Sequence, residues 1–164
     1  MEYIVDTNVL LVANGQSDMS LPCVENCVRF VQSFWGQHVL VIDDQYLVLG
    51  EYQHKLRTKR GGIGDKFLKL VLTRHSSVKR VSITRSGNTD HDFVEYPETL
   101  RSVDIDLSDK KFIALSKANN IETPIAQASD SKWIGWAEAL EAEGIKVEFL
   151  CKGELSEIFQ KKMG

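Results

Sequence analysis

Near its start the chain reads Tyr3-Ile4-Val5-Asp6-Thr7-Asn8-Val9-Leu10-Leu11. Apolar residues run into a carboxylate, a hydroxyl and an amide follow, and apolar residues resume. A short continuous apolar run reads as a strand buried on both faces, the kind found in parallel sheets. Asp6 then stands at the strand's carboxyl end, which is where open parallel sheets bind ligands. The rest of the chain is expected to bring further carboxylates to it.

Outward from that strand, residues 12–20 are polar and contain Gly15, which predicts a loop. Pro22 suits a first helical turn. Val24, Cys27, Val28, Val31, Phe34 and Trp35 then recur at helical spacing, and Gly36 ends the run. Residues 39–42, Val-Leu-Val-Ile, predict a second buried strand, which runs into Asp43-Asp44. Strand, helix and strand in this order make a βαβ unit with parallel strands and a right-handed crossover. A helix over 45–56 carries Tyr46, Leu49, Tyr52 and Leu56 on one stripe, with Glu51 beside it. It ends in Lys55, Arg57, Lys59 and Arg60, where cations suit the helix dipole. The glycines at 61, 62 and 64 follow a helix rather than a strand, so they lack the context of a phosphate-binding loop. A short helix is expected over 65–73.

Between 74 and 99 the pattern weakens. Val78, Val81 and Ile83 suit a short strand, and residues 85–92 read as a polar surface turn that includes His91 between two aspartates. From Leu100 the pattern sharpens. Asp104, Asp106 and Asp109 crowd the start of a helix for which Ser108 is the expected N-cap. Residues 123–128 predict a third strand that runs into Ser129-Asp130. A helix over 131–143, a strand over 146–151 and a helix over 154–161 complete the chain. The expected fold is therefore a three-layer α/β/α sandwich with a largely parallel central sheet, one domain spanning 1–164.

Composition excludes several classes. With 43% hydrophobic and 26% charged residues the chain reads as an ordinary globular protein. No apolar run approaches a membrane span, so no membrane association is expected. The first residues lack the basic-then-apolar order of a secretory signal. Cys23, Cys27 and Cys151 have no partners at zinc spacing and are expected as free thiols in a reducing cytoplasm. The net charge of -3 neither points to nucleic acid nor excludes it, since an acidic site can adjoin a local basic patch.

Acids thus end strands at Asp6, Asp43 and Asp130, open a helix at Asp109 and lie within a helix at Glu51. In a parallel sheet the strand-end acids share one edge. Packed carboxylates repel and raise one another's pKa values. A hard divalent cation with oxygen ligands, Mg²⁺ or Mn²⁺, relieves that repulsion and typically serves phosphoryl chemistry.

These residues carry a resemblance to the PIN-domain nucleases. Residues 5–11 are similar to that family's first motif, and Glu51 matches its second acid. Asp109-Lys110-Lys111-Phe112-Ile113-Ala114-Leu115 resembles the third motif, and Ala128-Ser129-Asp130-Ser131-Lys132-Trp133 the fourth. Lys132 departs from the pattern, because family members often carry an acid there. Residues 60–99 match nothing in the family. The resemblance implies a metal-dependent endoribonuclease in which Asp6, Glu51, Asp109 and Asp130 hold Mg²⁺ or Mn²⁺ and catalyse hydrolysis of RNA. Thr7 and Asn8 are expected to orient Asp6 or a bound water, with Asp43 and Asp106 in outer roles. Lys55, Arg57, Lys59 and Arg60 are expected to grip the RNA. The family further implies a toxin or defence effector, an antitoxin or other regulatory protein as partner, and a homodimer. Two alternatives stand beside this reading. One is a nuclease-inactive PIN module that binds nucleic acid. The other is a haloacid-dehalogenase-like phosphatase with Asp6 as nucleophile, although that chemistry wants an acid where Asn8 stands.

Overall fold

The computed structural model describes residues 1–87 and 89–164. Its frame is a sheet of strands β1 (Glu2–Val5), β2 (Val39–Asp43), β3 (Val78–Val81), β4 (Ile125–Gln127) and β5 (Val147–Phe149), all parallel, in the order β3-β2-β1-β4-β5. Ile4, Val5, Leu40, Val41, Ile42, Ile125 and Ala126 have no exposed surface, as the apolar runs require of strands covered on both faces. Full burial of side chains such as Ile4 and Leu40 contributes roughly 1.5–3 kcal/mol each.

Helices α1 (Thr7–Ala13), α2 (Leu21–Ser33), α3 (Leu47–Lys55) and α4 (Ile63–Thr73) connect β1 to β2 and β2 to β3. Helices α5 (Lys110–Ala118) and α6 (Lys132–Ala142) connect β3 to β4 and β4 to β5, and α7 (Lys152–Met163) closes the chain against α6. The chain leaves β1 toward one edge of the sheet and returns through β4 toward the other. Right-handed crossovers in opposite directions put the two sets of helices on opposite faces. The arrangement is the expected three-layer sandwich, and it makes the β1–β4 pair the topological switch point.

Several local expectations change. Residues 7–13 are already helical, because Asp6 accepts the Asn8 amide and starts α1 directly after β1. The loop therefore begins later than polarity suggested. The 65–73 helix starts at Ile63. Asn14 Oδ1 accepts the Gly64 and Asp65 amides at 2.7 and 3.2 Å, while a Cβ on Gly64 would lie 2.2 Å from the Leu10 carbonyl oxygen. Gly64 thus allows α4 to lie directly on α1. Ser108 is not the cap of α5; it sits within a single 3-10 turn, Leu107–Asp109, that precedes the helix.

The cysteines are the clearest correction. Cys23 and Cys151 form a disulfide across Cα atoms 5.4 Å apart, and only Cys27 is a free thiol, fully buried. The pair lies 128 residues apart in sequence, where α2 and α7 begin, so only the tertiary fold brings it together. The expected free thiols at these positions, and the support they gave to a reducing compartment, are withdrawn. Among the described residues no helix is long and apolar enough to cross a membrane. The part of the 85–92 turn at Asn88 lies outside the described residues.

Candidate functional site

Asp6 follows β1 and is 6% exposed. Its Oδ1 accepts the Asn8 amide at 3.1 Å, and its Oδ2 accepts Gln127 Nε2 at 2.8 Å. Burial pushes its pKa up to about 6; the Asn8 amide opposes that, and the Glu51 charge adds to it. Glu51 turns inward from the middle of α3 with its side chain 22% exposed. The Thr7 hydroxyl donates to its Oε2, and Lys111 Nζ donates to its Oε1 at 2.8 Å. The next residue fixes the helix in place: the Tyr52 hydroxyl donates to the Val5 carbonyl at 2.5 Å. A buried side chain on α3 therefore anchors that helix to the end of the strand that carries Asp6.

Asp109 stands where the 3-10 turn becomes α5. It makes no capping bond, and among the described residues no donor reaches its carboxylate. Its nearest company is acidic. Single carboxylate oxygens of Asp106, Asp109 and Asp130 lie within 4.8 Å of one another. Burial, then the charges of Asp6, Asp130 and Asp106, push the Asp109 pKa up to about 8. Asp130 follows β4, so it and Asp6 flank the switch point from adjacent strands. The loop that presents Asp130 is held by two amides. Asn8 Oδ1 accepts from Ala128 N and Ser129 N at 3.0 and 3.4 Å, and Gln127 Oε1 accepts from Ala128 N and Asp130 N at 3.1 and 3.4 Å. Asn8 Nδ2 donates to Gln127 Oε1, which closes the network.

Asp106, Asp109 and Asp130 thus form the tight acidic group at the carboxyl edge, and Asp6 and Glu51 lie outside it but near enough for Glu51 to act on Asp6 and Asp6 on Asp109 through charge. Asp43 is not among them. Its oxygens accept the amides of Gln45, Leu47 and Val48 at 2.9–3.0 Å, so it organises the start of α3 instead of the expected outer role at the site. The basic group divides as well. Arg60 pairs with buried Asp65 at 2.8 Å, and this pair holds the Asp65 carboxyl well below the usual carboxylate range. Arg57 Nη1 donates to the His54 and Leu56 carbonyls at 2.9 and 3.0 Å. The Arg57 side chain therefore finishes α3, and that of Arg60 ties the following turn to α4. Lys55 and Lys59 are exposed, and Lys55 lies one turn beyond Glu51.

Three contributors went unread in the sequence. Gln127 had a signal, a polar residue inside an apolar strand, and it is fully buried. Lys111 lies in a motif without a role there, and Tyr52 is core as its stripe implies, with only its hydroxyl bond to Val5 unsignalled. Lys132 forms an ion pair with Asp106 at 2.8 Å, so two ammonium groups compensate two of the five carboxylates. No protein-family model, curated protein or solved structure matches the chain.

The donors that converge are all carboxylate oxygens, with raised pKa values at two of them. An oxygen-only set of this kind suits a hard divalent cation, which would relieve the repulsion that protons relieve in its place.

Proposed function

We propose that the chain is a metal-dependent endoribonuclease of the PIN type. The observation that carries this reading is the Asp109 carboxylate, half-buried against the other acids with no donor to it among the described residues. The family resemblance of residues 5–11, Glu51, 109–115 and 128–133 supports it. Asp6, Glu51, Asp109 and Asp130 would hold Mg²⁺ or Mn²⁺, with Asp106 at the margin. A cation of this kind supplies an acidified water and positive charge for the scissile phosphate. The chain's own groups do the rest. Gln127 and the Asn8 amide hold Asp6 in one orientation, and the Thr7 hydroxyl holds Glu51. Asn8 holds the loop that presents Asp130. Lys111 and Lys132 bring positive charge to the rim, where an RNA phosphate approaches.

The phosphatase reading fits less well. That chemistry wants an acid at position 8, and Asn8 is instead committed to holding the loop after β4. Cytoplasmic RNA is the substrate this reading favours, while the Cys23–Cys151 disulfide is the one feature that points away from a reducing compartment. The experiment is incubation of the full chain with mixed single-stranded RNAs, in Mn²⁺ and in chelator, with the cleavage ends mapped. Mn²⁺-dependent products with 5′-phosphate ends, lost in Asp109→Asn, support the reading. Intact RNA under all conditions refutes it.

A further inference from the structure

A pocket of about 310 Å³ opens beside the acids. It lies where the first turn of α3, the turn before α5 and the 85–93 loop meet. Leu47, Phe93 and Leu107 give it apolar walls, Arg85, His91 and Lys111 carry its nitrogen groups, and Ser108 and the Asp90 carboxylate complete the lining. The loop wall is built rather than draped. Arg85 and Phe93 form an antiparallel bridge, the Ser86 amide donates to the Asp92 carbonyl at 2.9 Å, and the Val94 amide donates to the Thr84 carbonyl at 2.8 Å. Phe93 is buried as the floor, whereas Leu107 is 56% exposed, an apolar side chain held open beside a cluster of charges.

Lys111 belongs to both sites. Its ammonium has three donors, of which Glu51 and the Ser108 carbonyl take two. Arg85 reaches Asp90 at 3.4 Å, and with both side chains largely exposed the pair contributes little and is open to exchange. An apolar slot with a cation on each side, joined to a carboxylate centre by one lysine, matches a base attached to a phosphate. We propose that this pocket takes one nucleotide of a single-stranded RNA, adjacent to the bond cleaved at the acids. The base lies against Leu47 and Leu107 over Phe93, and the phosphate lies between Lys111 and Arg85. The placement of the cleaved bond rests on the nuclease reading; the nucleotide site itself does not. A paired strand is excluded from it, because a base enters such a slot only when unstacked.

The test is a titration of the isotope-labelled full chain, in chelator, with adenosine 5′-monophosphate, uridine 5′-monophosphate and ribose 5-phosphate, followed by amide chemical shifts. The expected result is movement of the Leu47, Leu107 and Lys111 signals, with ribose 5-phosphate bound about tenfold or more weakly than the nucleotides. Arg85→Ala and Leu107→Ser should each weaken nucleotide binding about fivefold or more. Equal binding of ribose 5-phosphate, or shifts confined to another surface, overturns the proposal. Metal-dependent cleavage that persists in Leu107→Ser at an unchanged KM overturns the pocket and leaves the nuclease reading standing. Nucleotide binding in the pocket by a chain that never cleaves RNA supports the pocket and overturns the nuclease reading.

Discussion

Asp109 and Asp6 are both crowded acids, yet they answer to substitution differently. Asp109 accepts from no donor among the described residues, so Asp109→Asn replaces a carboxyl that burial and neighbouring charges keep largely protonated near neutral pH, removes the cost of that protonation and leaves no partner unsatisfied. In chelator near neutral pH its melting temperature should equal or exceed that of the wild type. Asp6→Asn instead sets an amide against the Asn8 or Gln127 donor, and the lost bond costs about 1–3 kcal/mol. Their pH dependence has a definite sign. Both carboxyls are raised in the folded chain above the value of about 4 expected unfolded, Asp6 to about 6 and Asp109 to about 8. Within that window the folded state binds more protons than the unfolded chain. Stability contributed by the protonated carboxyls is therefore complete below about pH 4 and falls as pH rises to about 8. Urea midpoints measured in chelator across that range should decline for the wild type and decline less above about pH 6 for Asp109→Asn. A flat wild-type profile would contradict the crowding. The sequence made these acids legible because carboxylates at strand ends and helix starts have positions that chain order alone defines. It hid Lys111 and Lys132, whose long side chains reach acids on other elements.

The cations at the end of α3 divide into two exposed lysines and two arginines held by the scaffold. Arg57 and Arg60 are tied into the α3–α4 connection, whereas Lys55 and Lys59 stand in solvent on the side that follows Glu51. Lys55→Ala with Lys59→Ala should weaken single-stranded RNA binding and lower its log–log salt slope by about 1.4, with the melting temperature unchanged. Arg60→Ala should behave oppositely. It leaves buried Asp65 with backbone donors alone and should destabilise the fold by about 1–3 kcal/mol. Filter binding at several salt concentrations, beside thermal melts, distinguishes the two. In the sequence these four cations form one patch, because spacing shows a charge but not the buried carboxylate that folds back to meet it. The capping of α3 by Asp43 was hidden for the same reason.

Across the whole molecule, the positions of β1, β2 and β4 were legible because each is a short apolar run that leads into an acid, Asp6, Asp43 or Asp130. The pairing of β1 with β4 was not, since nothing local states which strands become neighbours. The described residues of 82–106 lacked periodicity because they are loops and a 3-10 turn with one isolated bridge. The Cys23–Cys151 bond closes most of the chain into one loop. Replacing both cysteines with Ser should cost about 2–4 kcal/mol in urea unfolding, with the response to Mn²⁺ retained, because neither cysteine is bonded to any of the acids. The account as a whole rests on the acids being a cation site that the fold assembles at its switch point. The measurement that tests this most directly is the melting temperature of the wild type and of Asp109→Asn, each in chelator and in millimolar Mn²⁺. The wild type should rise by several degrees through binding to the native state alone, and Asp109→Asn should rise much less. A wild type that melts at the same temperature with and without Mn²⁺, or a mutant that gains as much, would contradict it.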